Sequence, residues 1–197
     1  AVTGVQTCAL PICVSNEQIA QVRSALHLPS EFILFVGTLE PRKNLVMLVE
    51  ALNGQVDLPP LVVAGAQGWG EISVSASDKV KFLGQVEERF LGGLYAAACV
   101  MVYPSLWEGF GLPVLEAMAQ GTPVVTSQLI STEEVAGGAA VLVDPRSAES
   151  IRNGIRNALA DRSKLSQLGI ERVAQATWQK TAQLTAAIYD ESMNVLS

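Results

Sequence analysis

The sequence predicts an α/β protein with a doubly wound, Rossmann-like parallel sheet and helices on both faces of that sheet. Short apolar runs of four or five residues alternate with longer segments in which apolar residues recur at helical spacing. Strands that are separated by helices pair in parallel, and the helices then cover both sides of the sheet. With 197 residues, 49% of them hydrophobic, the chain is long enough to bury such a core.

The predicted elements follow one another in a regular order. The first strand, at 32–36, runs through a turn into a helix whose apolar face carries Leu45, Leu48, Val49 and Leu52. Later strands are predicted at 61–64, 80–83, 99–103, 123–126 and 140–143. Further helices are predicted at 87–98, from about residue 112, from about residue 147, and at the carboxyl end, where Leu184, Ile188 and Val195 form an apolar stripe.

Pro113 indicates where the helix after the 99–103 strand begins. Proline suits the first helical turn because its missing N–H would be unpaired there and its φ is already helical. Gly109 and Gly111 let the preceding backbone bend tightly and approach a ligand. The free N–H groups of residues 110–112 and the positive helix end would then face an anion or a sugar hydroxyl.

Two carboxylates lie around this bend. Glu108 precedes the helix and Glu116 lies about one turn inside it. Both are therefore expected to reach the same binding site and to point at different parts of one ligand. Carboxylates accept paired hydrogen bonds from vicinal diols, on a ribose or a hexose. Taken alone, the pair is better explained by a solvated loop carboxylate and a charge that the helix dipole favours than by a ligand site.

Two cations follow the first strand. Arg42 and Lys43 are expected at the carboxyl end of a parallel strand, which is the edge where ligands bind in open α/β sheets. The planar guanidinium of an arginine and the ammonium of a neighbouring lysine can together neutralise the charges of a diphosphate, so that no metal ion is needed. In isolation the pair would indicate a solvated turn, but both sets of charges at strand-to-helix junctions favour a nucleotide-sugar site.

Composition excludes several classes of protein. The chain has 13 basic and 19 acidic residues and a net charge of −6, which argues against a nucleic-acid partner. It has no run of 18 apolar residues that would predict a membrane span. Cys99 is the one cysteine beyond residue 13, and a single thiol cannot form an intrachain disulfide, which suits a cytoplasmic protein. Because it has neither Asp-x-Asp nor a His/Cys cluster, we expect no metal and no cofactor.

Several segments, in order, resemble the donor-binding half of glycosyltransferase family 4, also called group 1, whose members are retaining enzymes of GT-B fold. The segments are 36–44, 61–65, 82–84, 108–113, 116–119, 121–125, 134–137 and 144–145, followed by a tail with Trp178, Ala182 and Tyr189. The resemblance covers residues 31 to 190. It implies one half of a GT-B fold, with a linker or inter-domain segment at 14–30 and a nucleotide-sugar donor domain at 31–197.

The resemblance also implies a role for each site residue. Arg42 and Lys43 would hold the diphosphate and Glu108 would hold hydroxyls of the transferred sugar, which makes these three the candidate catalytic residues. Glu116 would bind the ribose. The remaining donor-binding candidates are Gly37, Val86 in the loop that borders the base, and the segment Gly109, Phe110, Gly111 and Leu112, whose backbone would line the sugar and phosphate.

The implied activity is transfer of a hexose from a nucleoside diphosphate sugar to a saccharide or lipid-linked acceptor. GDP-mannose is the first guess, because residues 41–44 resemble mannosyltransferase members of surface polysaccharide assembly; UDP-sugars stay close alternatives. The acceptor would bind an amino-terminal domain missing from this chain, and that domain would carry any peripheral association with the inner membrane face.

Two other functions remain open: a non-catalytic nucleotide-sugar-binding module, and a GT-B sugar epimerase or phosphorylase. The epimerase or phosphorylase would bring a histidine or a cofactor lysine into the crevice, and the one histidine, His27, precedes the first strand.

The first residues look foreign to the rest of the chain. Residues 2–12 resemble the letter-by-letter translation of a common sequencing-adapter oligonucleotide and carry no charge. We therefore treat residues 1–13 as a non-native artefact and exclude them from fold reasoning. The natural gene is expected to continue upstream, and the fragment alone is expected to bind donor weakly and to turn over little.

Overall fold

The computed structural model describes residues 14–70 and 79–195, so the artefact expected at 1–13 lies outside the described residues and stays a prediction. Within the described residues, six strands form one parallel sheet in the order β3-β2-β1-β4-β5-β6. The strands are β1 (Ile33–Val36), β2 (Leu61–Ala64), β3 (Val80–Gly84), β4 (Val100–Tyr103), β5 (Val124–Ser127) and β6 (Val141–Val143). The predicted doubly wound parallel sheet is confirmed.

Helices connect these strands. In the described part of the chain they are α1 (Asn16–Ala25), α2 (Leu45–Leu52), α3 (Glu88–Ala97), α4 (Leu112–Ala119), α5 (Ser131–Ala136), α6 (Ala148–Ala160), α7 (Arg162–Gln175) and α8 (Trp178–Val195), and a 3-10 turn spans Pro41–Lys43. Each predicted strand agrees with its observed bounds to within one residue at either end. Pro113 lies in the first turn of α4, as predicted.

The strand order places a switch point between β1 and β4. From β1 the chain moves outward through β2 and β3, then returns to form β4 on the other side of β1. Ile33 pairs with Val100 and Leu34 with Met101, so β1 and β4 are direct neighbours. The loops that follow β1 and β4 meet at this edge, where the N–H of Leu106 donates to the carbonyl of Arg42 at 2.8 Å. In sheets of this type, ligands bind at the switch point.

The sheet separates two apolar cores because alternate strand residues face opposite sides. Leu34, Met101 and Tyr103 face a core that includes Leu94 of α3 and Val114 of α4. The other core joins Phe35, Val63 and Val102 to Leu48 of α2 and Ile155 of α6. Helices therefore cover both faces, and the central strands β1, β2 and β4 are apolar because they are buried on both sides.

The segment 14–30, expected as a linker or inter-domain segment, contains α1. Ser15 caps this helix and Gln18 completes a capping box. Val22 packs against α3 at Gly93, where an added Cβ would lie 2.6 Å from the Val22 side chain. The helix is thus held by a tertiary contact that the sequence pattern did not reveal.

The apolar stripe predicted on the last helix cannot be followed in full. The side chains of Leu184 and Val195 lie outside the described residues, whereas Ile188 is exposed. The stripe therefore stays a prediction.

A glycine-rich loop after β2 supports the loop after β1. The N–H of Gly37 donates to the carbonyl of Ala64, and that of Leu39 donates to the carbonyl of Ala66. A Cβ at Gly65 would lie 1.9 Å from the carbonyl oxygen of Gly37. Because the neighbour is backbone, the two loops approach this closely only when residue 65 is glycine.

We expect Gly65→Ala to lower the free energy of unfolding by about 3 kcal/mol, because the added methyl group must push the two loops apart. Urea denaturation measures the change. Gly109→Ala is the matched control: its Cβ would meet nothing within 4 Å, and its effect should stay within about 0.5 kcal/mol. Equal losses in the two variants would contradict the packing argument.

Candidate functional site

Three of the predicted site residues meet at the switch point. Arg42 and Lys43 lie in the turn after β1, and Glu108 lies in the loop after β4. The Nζ of Lys43 donates to Oε1 of Glu108 at 2.7 Å, and Nη1 of Arg42 donates to Oε2 of Glu108 at 2.7 Å. The Nε of Arg42 also donates to Glu40 at 2.8 Å. The parallel sheet thus brings into contact side chains that are more than 60 residues apart in sequence.

These charges are largely removed from water. The side chain of Lys43 is 9% exposed and that of Glu108 is 7% exposed, whereas that of Arg42 is 21% exposed. Two cations and two carboxylates, including Glu40, make the cluster neutral overall. The cations that the sequence assigned to a diphosphate are thus paired with protein carboxylates.

Tyr103 and Ser105 complete the environment of the ion pairs. Lys43 donates to the hydroxyl of Tyr103, and its Nζ lies 4.7 Å from the centre of the Tyr103 ring. Ser105, fully buried, donates to Oε1 of Glu108 at 2.8 Å. Glu108 therefore accepts from groups on both strand-end loops, and its orientation is well determined.

The environment favours the charged form of Glu108. Burial opposes ionisation, but hydrogen bonds from Lys43, Ser105 and Tyr103, together with the charge of Lys43, outweigh it and hold the pKa of Glu108 below its usual range. Burial and the adjacent Glu108 carboxylate raise the pKa of Tyr103 far above that of a free phenol. Glu108 is thus an anion and Tyr103 a neutral phenol at neutral pH.

Asn44 ties the loops of the site together. Its side-chain amide donates to the carbonyl of Pro104 at 3.0 Å and to that of Pro145 at 2.7 Å. Asn44 has a left-handed backbone (φ 63°), a conformation that asparagine tolerates better than most residues. Ser131 adds a bond from its hydroxyl to the backbone carbonyl of Glu108 at 2.8 Å.

The start of α4 presents unpaired donors. The N–H groups of Phe110, Gly111 and Leu112 have no acceptor among the described residues. Gly111 has φ 107°, and a Cβ there would lie 2.8 Å from the Thr132 side chain, so glycine is required at this position. With the positive end of the helix dipole, these donors can bind an anion.

Glu116 occupies a different environment from Glu108. It is half-buried on α4, and its Oε2 accepts a hydrogen bond from the Tyr95 hydroxyl of α3 at 2.7 Å. Among the described residues it makes no hydrogen bond to Arg42, Lys43 or Glu108. The two carboxylates therefore have separate partners, and their joint contact with one ligand stays a prediction.

The other predicted residues lie along the same edge of the sheet. Gly37 directly follows β1, and a Cβ there would touch the Lys43 side chain at 3.5 Å. Val86 follows β3 and packs, half-buried, against the core that contains α3 and α4. Gly109 adjoins open space.

Sequence reasoning missed four residues of this site: Tyr95, Tyr103, Ser105 and Asn44. A signal existed for the tyrosines, since a phenol in a buried segment needs a hydrogen-bond partner. Asn44 directly after the basic pair was a signal for a left-handed turn. Ser105 carried no signal of its own, because its partner is identified only by the fold.

His27 lies away from these groups. It is placed between α1 and the start of β1, at the amino-terminal edge of the sheet and opposite the candidate site. Its carbonyl accepts a hydrogen bond from Lys81. The one histidine of the chain therefore lies away from the candidate site, and the form of the epimerase or phosphorylase hypothesis that needs a histidine there gains no support.

The described residues contain neither a candidate metal site nor a helix that could span a membrane. Residues 14–70 and 79–195 contain no group of three or more His, Cys, Asp or Glu side chains that could hold a metal ion. Among the described helices, none combines the length and the apolar character needed to cross a membrane.

The lowered pKa of Glu108 predicts a specific pH dependence of stability. A carboxyl group with a lower pKa in the folded state stabilises the fold above its unfolded pKa of about 4.3, and this contribution disappears as pH falls through the folded value. We therefore expect the difference in unfolding free energy between the wild type and Glu108→Gln to shrink from pH 7 to pH 3.

Urea denaturation across this pH range measures the difference. Glu50→Gln, which changes an exposed glutamate of α2, serves as the control and should differ from the wild type by a constant amount. If the difference in unfolding free energy between the wild type and Glu108→Gln does not change with pH, the ion pairs do not stabilise the fold.

Comparisons with known proteins identify the family. Residues 17–172 match the family described as glycosyl transferases group 1. O-antigen chain mannosyltransferase B of Escherichia coli is 35% identical over 175 residues, which cover 80% of this chain and 45% of that protein. The chain spans about half the length of the curated relative that it matches.

Solved structures agree with the fold. Sucrose-phosphate synthase from Thermosynechococcus elongatus superposes with a TM-score of 0.72 at 28% identity, over 94% of this chain and 52% of that one. Anabaena HepE in complex with UDP and glucose gives a TM-score of 0.75 at 22% identity, over 91% of this chain and 53% of that one, a likeness of fold alone. The chain thus belongs to the group 1 glycosyl transferases and forms a Rossmann-like α/β unit of the GT-B type.

Proposed function

We propose that this chain is the donor-binding half of a retaining glycosyltransferase that moves a hexose from a nucleoside diphosphate sugar to a saccharide or lipid-linked acceptor. One observation carries the proposal: Arg42, Lys43 and Glu108 meet at the switch point of the sheet, where β1 and β4 end side by side. Ligands bind at that position in open parallel sheets.

The relatives support mannose as the transferred sugar. The Escherichia coli protein that is 35% identical is an O-antigen chain mannosyltransferase, and a further relative, 34% identical over 160 residues, is an O-antigen chain mannosyltransferase of Salmonella typhimurium. GDP-mannose is therefore the proposed donor. The structural neighbour with UDP and glucose keeps UDP-sugars as the alternative.

The diphosphate would bind between the basic turn and the start of α4. The Arg42 fork and the Lys43 ammonium would face its oxygens from the β1 side, and the free N–H groups of residues 110–112 would face them from the β4 side. Fixed donors of this kind stabilise negative charge that grows on a leaving diphosphate. No metal or cofactor is required for this step.

Binding of the diphosphate would require an exchange of partners. Both cations are paired with Glu108, so phosphate oxygens must share or replace that carboxylate. The replaced oxygens of Glu108 would then be free to accept hydrogen bonds from sugar hydroxyls. Glu108 would in this way orient the hexose once the diphosphate is in place.

The nucleoside would extend along the edge of the sheet. Glu116 on α4 would accept hydrogen bonds from the ribose hydroxyls, and Val86 after β3 would border the base. Gly37 and Gly109 would leave room for the ligand beside the charged cluster, since a Cβ at residue 37 would contact the Lys43 side chain at 3.5 Å.

The acceptor would bind elsewhere in the whole enzyme. This chain covers less than half of the Escherichia coli relative, and we propose that the acceptor groups belong to the remaining part. We also assign to that part any peripheral contact with the inner membrane face, and we propose a cytoplasmic location for the enzyme.

Isothermal titration calorimetry of the chain with GDP-mannose, UDP-glucose and ADP-glucose tests the proposal. We expect GDP-mannose to bind most tightly, and we expect Arg42→Ala to weaken binding at least tenfold because it removes a charge-assisted phosphate contact. Arg156→Ala is the control, since Arg156 pairs with Asp57 on the surface. Absence of binding by all three nucleotides would refute the donor-binding role.

Glu108→Gln separates the two roles that Glu108 would have. Because the carboxylate competes with phosphate for Arg42 and Lys43, its removal should raise the affinity for GDP about tenfold. The same change should lower the advantage of GDP-mannose over GDP, because the sugar hydroxyls would meet one neutral amide oxygen instead of two carboxylate oxygens. Calorimetry with both ligands measures the two effects, and Glu50→Gln controls for net charge. A lower affinity for GDP would contradict the exchange of partners.

A further inference from the structure

We propose that Tyr95 is a positioning residue that fixes Glu116 for recognition of the ribose diol, and that it thereby selects ribonucleotide donors. This inference rests on the proposed function, in which Glu116 binds the ribose. The direct observation is a hydrogen bond of 2.7 Å from the Tyr95 hydroxyl to Oε2 of Glu116, which joins α3 to α4.

Tyr95 is rigidly positioned and can therefore fix the orientation of a group to which it hydrogen-bonds. Its ring is 1% exposed and packs in the core that also contains Leu94 and Tyr103. Its backbone carbonyl accepts a hydrogen bond from the buried Thr122 hydroxyl at 2.7 Å, which fixes the end of α3. A phenol anchored at both its ring and its backbone has little freedom to move with a ligand.

The hydrogen bond leaves one carboxylate oxygen available. Oε2 of Glu116 is occupied by Tyr95, whereas Oε1 has no partner among the described residues. Glu116 is half-buried, so this oxygen lies near the surface of the domain. A ribose diol can donate to Oε1 and to the second lone pair of Oε2 only if the carboxylate plane is held, since a carboxylate presents four acceptor positions in one plane.

The direction of the bond is also settled. Burial, and then the negative charge of Glu116, raise the pKa of the Tyr95 phenol well above its ordinary value. Tyr95 is therefore always the donor and Glu116 always the acceptor near neutral pH. Glu116 stays an acceptor for hydroxyl groups, which matches a diol and does not match a phosphate.

The test compares Tyr95→Phe with the wild type by calorimetry, using GDP and 2′,3′-dideoxy-GDP. Phenylalanine keeps the buried ring and removes only the hydroxyl. We expect the wild type to prefer GDP about tenfold, and Tyr95→Phe to reduce this preference to about threefold while its affinity for dideoxy-GDP is unchanged. Tyr189→Phe, at an exposed tyrosine of α8, should behave as the wild type.

A merely structural role for Tyr95 gives a different result. If Tyr95 only packs the core, Tyr95→Phe weakens both nucleotides by the same factor or neither, and that outcome overturns the inference. The double variant with Glu116→Gln provides a second measurement: positioning through Glu116 requires that Tyr95→Phe add nothing to the loss of preference in Glu116→Gln. Additive losses would overturn the inference as well.

Failure of the proposed function is seen separately, in the wild type. If the wild type binds neither nucleotide, the donor-binding role is refuted and the inference falls with it. If the wild type binds both equally, donor binding stands but the ribose role of Glu116, and with it that of Tyr95, is refuted. A wild-type preference that Tyr95→Phe leaves intact refutes only the role of Tyr95.

Discussion

The site depends on one buried carboxylate that holds two cations. Glu108 accepts from Arg42 and Lys43 through different oxygens, and its side chain is only 7% exposed. Removing either partner from a buried pair is costly because it leaves an uncompensated charge. The loops after β1 and β4 must therefore keep their relative positions closely, and the hydrogen bond from Asn44 to the carbonyl of Pro104 joins them. Ser131 of α5 further holds the backbone of Glu108.

Most of the fold could be predicted because its central strands are buried on both faces. Such strands are continuous apolar runs bounded by glycine and proline, and this pattern is local in sequence. The helix α1 was missed for the opposite reason. Its contact between Val22 and Gly93 joins residues far apart in sequence, and its few apolar residues give a weak periodic signal. Marginal helices of this length are stabilised chiefly by tertiary packing.

The site was predictable where strand ends determine position. Arg42, Lys43 and Glu108 follow directly from strands that the sequence identifies, and parallel pairing brings those ends together. The partners of Tyr95 and Tyr103 could not be predicted, because a hydroxyl in a buried segment can bond to any neighbour that the fold supplies. The sequence also shows charges without distances, so the pairing of Glu108 with both cations was visible only in the structure.

The neutrality of the cluster formed by Arg42, Lys43, Glu40 and Glu108 constrains what the proposed site can bind first. A neutral sugar cannot separate Glu108 from its cations, since a hydroxyl is a weaker partner for them than a carboxylate. A diphosphate has more negative charge than the carboxylate and can replace it. If the proposed function holds, the phosphate contacts must therefore form before Glu108 can accept hydrogen bonds from the hexose. Recognition of the sugar then depends on prior recognition of the diphosphate. A free hexose would leave the ion pairs of Glu108 with Arg42 and Lys43 intact.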